Sequence, residues 1–376
     1  MTDSRNWFEP LPATRQRKLL ASSRMGLGVT VDGQRLLNFA SNDYLGLSTH
    51  PQVCRAAQAA IDERGLGSGA SRLVSGDDPL LHTLEEELAI WKGFESCLLV
   101  GSGMLANLGL LQALANRHTH IFADKLNHAS LVDGARLSGA KVSRFPHLNL
   151  EKLEQSLAKS KASRRIIVSD GVFSMDGDCA DIQALIHFAE RYDALLLVDD
   201  AHGTGTVGKQ GKGLTAEAGI AGHVRLLEVG TLGKALGSYG AYILGTKPMI
   251  EGLRQRMRTL MYSTALPVSV LAGAQAALRL IQTTDVVEQL QHRVNSFLTQ
   301  AQGLNLMPST TAIQPVWLGS DEKAMAASQA LKAQGYFVPA IRPPTVPEGQ
   351  SRLRITLSAA HQKQDIDGLI QALQAL

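Results

Sequence analysis

From about Leu47 to about residue 245 the chain alternates amphipathic helical patterns with short runs of Leu, Ile and Val, and this alternation constrains the fold more than any other feature. Helical crossovers between buried strands build a mostly parallel sheet covered on both faces. Leu81, Leu84, Leu88 and Trp91 share one helical face, and the run 96–100 that follows reads as a strand. Further strands are expected at 121–123, 141–145, 166–169, 195–198, 226–229 and 241–244, with a helix at 182–191 among the connections. Upstream, the sequence suggests a helical stretch at 13–21 and a hairpin across 29–39, with Asp32-Gly33 as its turn. After Pro267 a helical segment runs to 302. Strands at 313–318, 336–341 and 352–357 then share the chain with helices at 322–333 and 364–376. A chain of 376 residues exceeds the usual size of one core. The expected division is an N-terminal segment 1–45, a large α/β domain 46–275 and a smaller α+β domain 276–376.

Composition narrows the function classes. Hydrophobic residues at 44% and charged residues at 19% fit an ordinary soluble globular protein. A net charge of +3 is too small for a nucleic-acid-binding surface, and the cluster Lys161-Ala-Ser-Arg164-Arg165 reads as a solvated loop before a strand. Cys54, Cys97 and Cys179 are scattered, which favours neither a disulfide framework nor a zinc site and fits a reducing cytosol. Arg5, Glu9, Arg15, Arg17 and Lys18 interrupt the N-terminus, and no later run approaches a membrane span. A cytoplasmic protein without membrane, nucleic-acid or metal partners is the expectation.

The chemistry is concentrated in Leu195-Leu-Leu-Val-Asp199-Asp-Ala-His202-Gly and Gly230-Thr231-Leu-Gly-Lys234-Ala-Leu-Gly. An apolar strand ending in acids delivers polar groups to the carboxyl edge of the sheet, where open α/β sheets place their ligands. An acid pair there could hold Mg²⁺ in an NTPase, but the chain has no Gly-x-x-x-x-Gly-Lys-Ser/Thr loop. A carboxylate, an imidazole and an amine together suit pyridoxal phosphate (PLP), which needs a Lys for its Schiff base and an acid facing the pyridinium nitrogen.

Other segments fit the same ligand. Gly101-Ser102-Gly103-Met104 follows a strand and opens a helix, the setting of a phosphate site made of backbone amides. His128, just after the strand at 121–123, could stack on an aromatic cofactor, although an exposed or capping role is the default for such a residue. His118 and His120 have the spacing of a metal pair without a third ligand, and are read as a surface turn. Gly67-Ser-Gly-Ala-Ser71-Arg72-Leu-Val-Ser75-Gly76 reads as a loop at the cofactor mouth. Arg342, stiffened by the prolines of Ala340-Ile-Arg342-Pro-Pro-Thr345-Val-Pro, suits a substrate carboxylate, with an exposed structural Arg as the alternative.

These segments, in this order, resemble the α-oxoamine synthases, PLP enzymes of fold type I, the aspartate aminotransferase-like fold. The resemblance rests on Asn42-Asp-Tyr-Leu-Gly46, His128, Ser174-Met-Asp-Gly177, Asp199-Asp-Ala-His202-Gly-Thr-Gly, Thr231-x-x-Lys234 and Ser263-Thr-Ala-Leu-Pro267. It implies that Lys234 carries PLP and takes the substrate Cα proton, while Asp199 keeps the ring nitrogen protonated. It further implies His202 and Ser174 at the ring oxygen, Ala201 beneath the ring and His128 stacked above it. Ser102, Gly103, Met104 and Thr231 would hold the phosphate, with Ser263 or Thr264 reaching in from a second subunit of a homodimer. Arg342, Asn42 and Thr345 would meet the substrate carboxylate, and Arg17 the acyl donor. Within the family, the stretch from Ile341 to His361 looks most like the branch serving biotin biosynthesis. That branch condenses L-alanine with pimeloyl-CoA, or the acyl-carrier-protein thioester, with loss of CO₂. The rival readings are a family member using glycine with acetyl-CoA or succinyl-CoA, and a PLP-fold protein that binds without turnover.

Overall fold

The computed structural model describes Trp7 and residues 19–376. Seven strands form the central sheet: β4 (Ser96–Val100), β5 (Thr119–Asp124), β6 (Lys141–Phe145), β7 (Arg164–Asp170), β8 (Ala194–Asp199), β9 (Leu226–Thr231) and β10 (Ala241–Gly245). They follow the spatial order β4-β10-β9-β8-β7-β5-β6. Only β10 runs antiparallel to its neighbours. The Leu/Ile/Val runs are there because both faces are covered. Leu196 and Val198 of β8 point into one core with Phe122, Ile167 and Leu244, while Leu197 points into the other with Ile166, Val168 and Ile243. β6, at the edge, is more exposed and carries Lys141 and Arg144, a common protection of an unpaired edge.

The remaining strands form smaller sheets. β1 (Ser22–Met25), β2 (Gly28–Val31) and β3 (Gln34–Asn38) make an antiparallel meander. Asp32 and Gly33, both at positive φ, turn between β2 and β3 as expected. Residues 19–21 belong to no helix, and the rest of the stretch expected to be helical, like Arg17, lies outside the described residues. β11 (Ile313–Gly319) and β14 (Ser351–Thr356) pair antiparallel.

Two expectations are corrected. The strand expected at 336–341 is two short pieces, β12 (Tyr336–Phe337) and β13 (Ala340–Ile341), in different sheets. β12 joins β3 and β13 joins β14. Pro339 between them has no ladder donor, and its carbonyl accepts from Arg354 N instead. The single helix to residue 302 is in fact two, Val268–Thr283 and Val286–Gln300. Thr284 is extended at the break, and Thr283 and Thr284 donate their hydroxyls to the carbonyls four residues back. No helix among the described residues is long and apolar enough to cross a membrane.

Candidate active site

Parallel register brings acids together at the carboxyl edge of the sheet. Asp170 at the end of β7 sits directly opposite Asp199 at the end of β8. Asp199 is held at both oxygens: Asn107 Nδ2 donates to Oδ2 at 2.6 Å and Ala201 N to Oδ1 at 3.0 Å. Asp170 accepts from His128 N at 3.1 Å through Oδ2, while its buried Oδ1 has no partner. Burial, reinforced by the neighbouring Asp199, pushes the Asp170 carboxyl well above the usual carboxylate range. The protonated form of Asp170 is therefore favoured beside Asp199.

A hydrogen-bonded chain reaches Lys234 from the opposite side. Tyr44 OH lies 2.6 Å from His202 Nδ1, and His202 Nε2 lies 2.8 Å from Lys234 Nζ. Burial raises the Tyr44 phenol to about 12, so Tyr44 is the donor. Burial, with Lys234 and Arg354 nearby, holds His202 well below its ordinary value and keeps it neutral. With Nδ1 accepting from Tyr44, the ring proton sits on Nε2, and the Lys234 nitrogen accepts it once that nitrogen has lost its own proton. This agrees with the Lys234 amine itself, which burial lowers to about 8 against the pull of Asp199. Close approach of the His202 loop to Lys234 uses Gly205, at φ +77°, where an added Cβ would stand 2.4 Å from Ala235 Cβ.

Only a neutral amine attacks an aldehyde. Capture of PLP by the apoprotein is therefore expected to accelerate with pH through a midpoint of about 8, followed by stopped-flow absorbance. A midpoint of about 10.4, the ordinary lysine value, would contradict the buried environment described here.

Asp199, Ala201, His202, Thr231 and Lys234 line a cavity of about 190 Å³ together with Gly103, Met104, His128 and Ser174. Ser130, Asp170 and Val172 complete its wall. Gly103 opens the helix Gly103–Leu114, Ser102 caps it by accepting from Leu105 N, and a Cβ added at Gly103 would meet nothing within 4 Å. Amides at a helix N-terminus, an acid fixed for a cationic ring, an amine made less basic by burial and the unpartnered Asp170 oxygen form a set of groups that fits PLP. Asn42 lies outside this lining; its Oδ1 accepts from Arg354 Nη2 and stands 3.3 Å from Tyr44 OH, farther than His202 Nδ1 does. Ser263 and Thr264 line a separate small pocket beside Arg72 and Gly101, and Thr264 bridges to Ser71 of the glycine-rich loop. Arg342 and Thr345 follow β13 outside the cavity wall.

Sequence reasoning missed Tyr44, Asn107, Asp170 and Arg354. Arg354 is 6% exposed, donates through Nε to Ser174 O at 2.5 Å and lies close enough for its charge to act on Lys234. The signal was present: Arg352 and Arg354 stand two apart in one strand, on either side of Leu353, and so share one face. The surface-turn reading of His118 and His120 holds for His118, exposed in the turn before β5, and is corrected for His120. His120 is buried in β5, where Ser143 and Ser160 hydroxyls meet its two ring nitrogens.

The arrangement defines a PLP-dependent enzyme of fold type I, and the family model for aminotransferase class I and II matches residues 34–373, so the chain belongs to that family. Among its relatives, the 8-amino-7-oxononanoate synthase of Hydrogenovibrio crunogenus is 45% identical over 98% of this chain and 96% of its own. That of Herminiimonas arsenicoxydans is 47% identical over 96% and 95%. Identity at this level over nearly the full length sets the chain among the 8-amino-7-oxononanoate synthases. Of solved structures, serine palmitoyltransferase from S. paucimobilis with PLP and myriocin bound superposes with a TM-score of 0.90 at 28% identity, covering 95% of this chain and 91% of that one. The 8-amino-7-oxononanoate synthase from Francisella tularensis gives 0.77 at 29%, covering 90% and 97%.

Proposed function

We propose that the protein condenses L-alanine with pimeloyl-CoA, or the pimeloyl acyl-carrier-protein thioester, to give 8-amino-7-oxononanoate, CO₂ and free thiol in biotin biosynthesis. The observation that carries this reading is the single cavity uniting Asp199, His202 and Lys234, in a chain that belongs with the synthases of that product. PLP, when bound, supplies an electron sink for the pair of electrons left at the amino-acid Cα.

The chain's own residues do the rest. Lys234 Nζ, which burial lowers to about 8, would carry the cofactor and then move the Cα proton. Asp199, fixed by Asn107 and Ala201, holds a proton at the ring nitrogen. His202, its tautomer set by Tyr44, would offer its Nε2 proton to the ring oxygen, with Ser174 in support. Gly103, Met104 and Thr231 of the lining, with Ser102 at the cap of the same helix, would hold the phosphate, and His128 and Ala201 would flank the ring. For the substrate carboxylate, the buried Arg354, tied to Asn42, joins Arg342 and Thr345 as a partner. Ser263 and Thr264 stand outside the lining of their own chain's cavity, which supports their acting in a partner's site within a homodimer.

Thiol release with alanine against glycine, and with pimeloyl against succinyl or acetyl donors, tests the assignment. One methyl group changes discrimination by about 1 to 3 kcal/mol, so a preference for alanine of roughly ten- to two-hundredfold is expected. Preference for glycine with a short acyl donor would reject it.

A further inference from the structure

On the side of the Asp199 segment away from the cavity, the protein buries one ammonium between two carboxylates. Lys92, the last residue of the helix Pro79–Lys92, is 1% exposed. Its Nζ stands 2.6 Å from Glu228 Oε1, an ion contact rather than an aligned hydrogen bond. It also donates to Asp200 Oδ2 at 3.3 Å and to Thr204 Oγ1 at 3.2 Å. The second oxygens are engaged too: Thr215 Oγ1 donates to Glu228 Oε2, and Leu214 N approaches Asp200 Oδ1 at 3.5 Å. Thr204 Oγ1 in turn lies 2.9 Å from Tyr242 OH on β10. Backbone closes around this group. A Cβ added at Gly213 would come 1.8 Å from Asp200 Oδ2, and one at Gly203 2.0 Å from Asp200 Oδ1.

Stability alone is a poor reason for such a cluster, because well-packed apolar side chains in place of buried ions are often as stable or more so. Its connections are more informative. Asp200 follows Asp199 and begins the loop that carries Ala201 and His202; Glu228 lies on β9, three residues before Thr231 and six before Lys234. The contact between His202 Nε2 and Lys234 Nζ at 2.8 Å therefore depends on how that loop is seated against β9. Lys92 is the group that touches both.

We propose that Lys92, Asp200 and Glu228 act as positioning residues, an ion cluster that locks the loop 201–213 onto β9 and thereby sets His202 against Lys234. The proposal rests on the roles given above to His202 and Lys234. Two variants test it. Lys92→Met leaves two carboxylates uncompensated. Lys92→Met with Glu228→Gln removes that imbalance: the amide can still serve Thr215, and Asp200, which burial already raises to about 7, can take up a proton. The double variant decides the question if the single one does not fold.

In the double variant the melting temperature should return toward that of the unaltered protein. Hydrogen–deuterium exchange of the apoprotein should nevertheless quicken within 201–213 and not in β5 or β7. The dissociation constant for PLP should rise about tenfold, and kcat should fall roughly ten- to a hundredfold with the KM for alanine little changed, as for a small misplacement of reacting groups. Native exchange in 201–213 with native PLP affinity would overturn the proposal, as would exchange that rises uniformly through the sheet. Borohydride labelling of the unaltered protein keeps the two claims apart: failure to label Lys234 would reject its assigned role, whereas the exchange result in the apoprotein stands independently of it.

Discussion

Replacing Lys234 by alanine is expected to abolish turnover while leaving the protein folded and able to hold PLP noncovalently. The side chain lies half-buried at a cavity wall, and its Nζ contacts His202 Nε2, so truncation opens polar space that water can fill rather than a hole in either apolar core. What is lost is chemical. On the proposed mechanism this amine both bonds the cofactor aldehyde and takes the Cα proton, and general acid–base transfer alone is worth on the order of 10²–10⁴ in rate. Loss of covalent attachment adds to this, so thiol release from pimeloyl-CoA with alanine should fall below detection. Reduction with hydride should label a peptide containing Lys234 in the unaltered protein and none in the variant. Near-normal thiol release in the variant would reject Lys234 as the reacting amine.

Residues whose role follows from the strand they end, or the helix they begin, were legible in the sequence. Leu195-Leu-Leu-Val-Asp199 reads as a buried parallel strand because covering both faces leaves no polar position until the sheet edge, and β8 ends at that acid. Gly103 and Met104 were legible for a similar reason, as the first turn of a helix after a strand. Residues defined by a partner far along the chain were not. Tyr44 meets His202 across 158 residues, and only the closed fold shows that a phenol fixes the imidazole tautomer. Lys92 misleads most: a lysine ending a helix before glycine reads as a solvated cation at the helix C-terminus, yet it is buried against β9. Asp170 looks like Asp199 in sequence, and only register and burial show that Asp170 is pushed toward its protonated form.

That pairing of acids leads to the second large effect, expected for Asp199→Asn. The amide nearly matches the carboxylate in shape, but its NH₂ cannot accept from Asn107 Nδ2 if its oxygen stays with Ala201 N, so one hydrogen bond is given up along with the charge. Without an anion there, nothing holds the ring nitrogen protonated, and removing such preorganised electrostatic stabilisation costs on the order of 10²–10³ in kcat. PLP should still bind, and Lys234 should still be labelled by hydride. The loss should also depend on pH. Asp170 faces Asp199, Asp124 and Lys234, and accepts from His128 N. Burial is the larger cause of its raised value and the charge of Asp199 the next. Taking that charge away lets Asp170 ionise at lower pH than before, so a carboxylate reappears beside the same position as pH rises. Part of the lost rate should therefore return on the alkaline side of the kcat profile in Asp199→Asn, and not when Asp170→Asn is added. Native kcat in Asp199→Asn at neutral pH would show that the ring is not held cationic by this acid. A parallel loss in both variants at every pH would show that Asp170 cannot stand in for it.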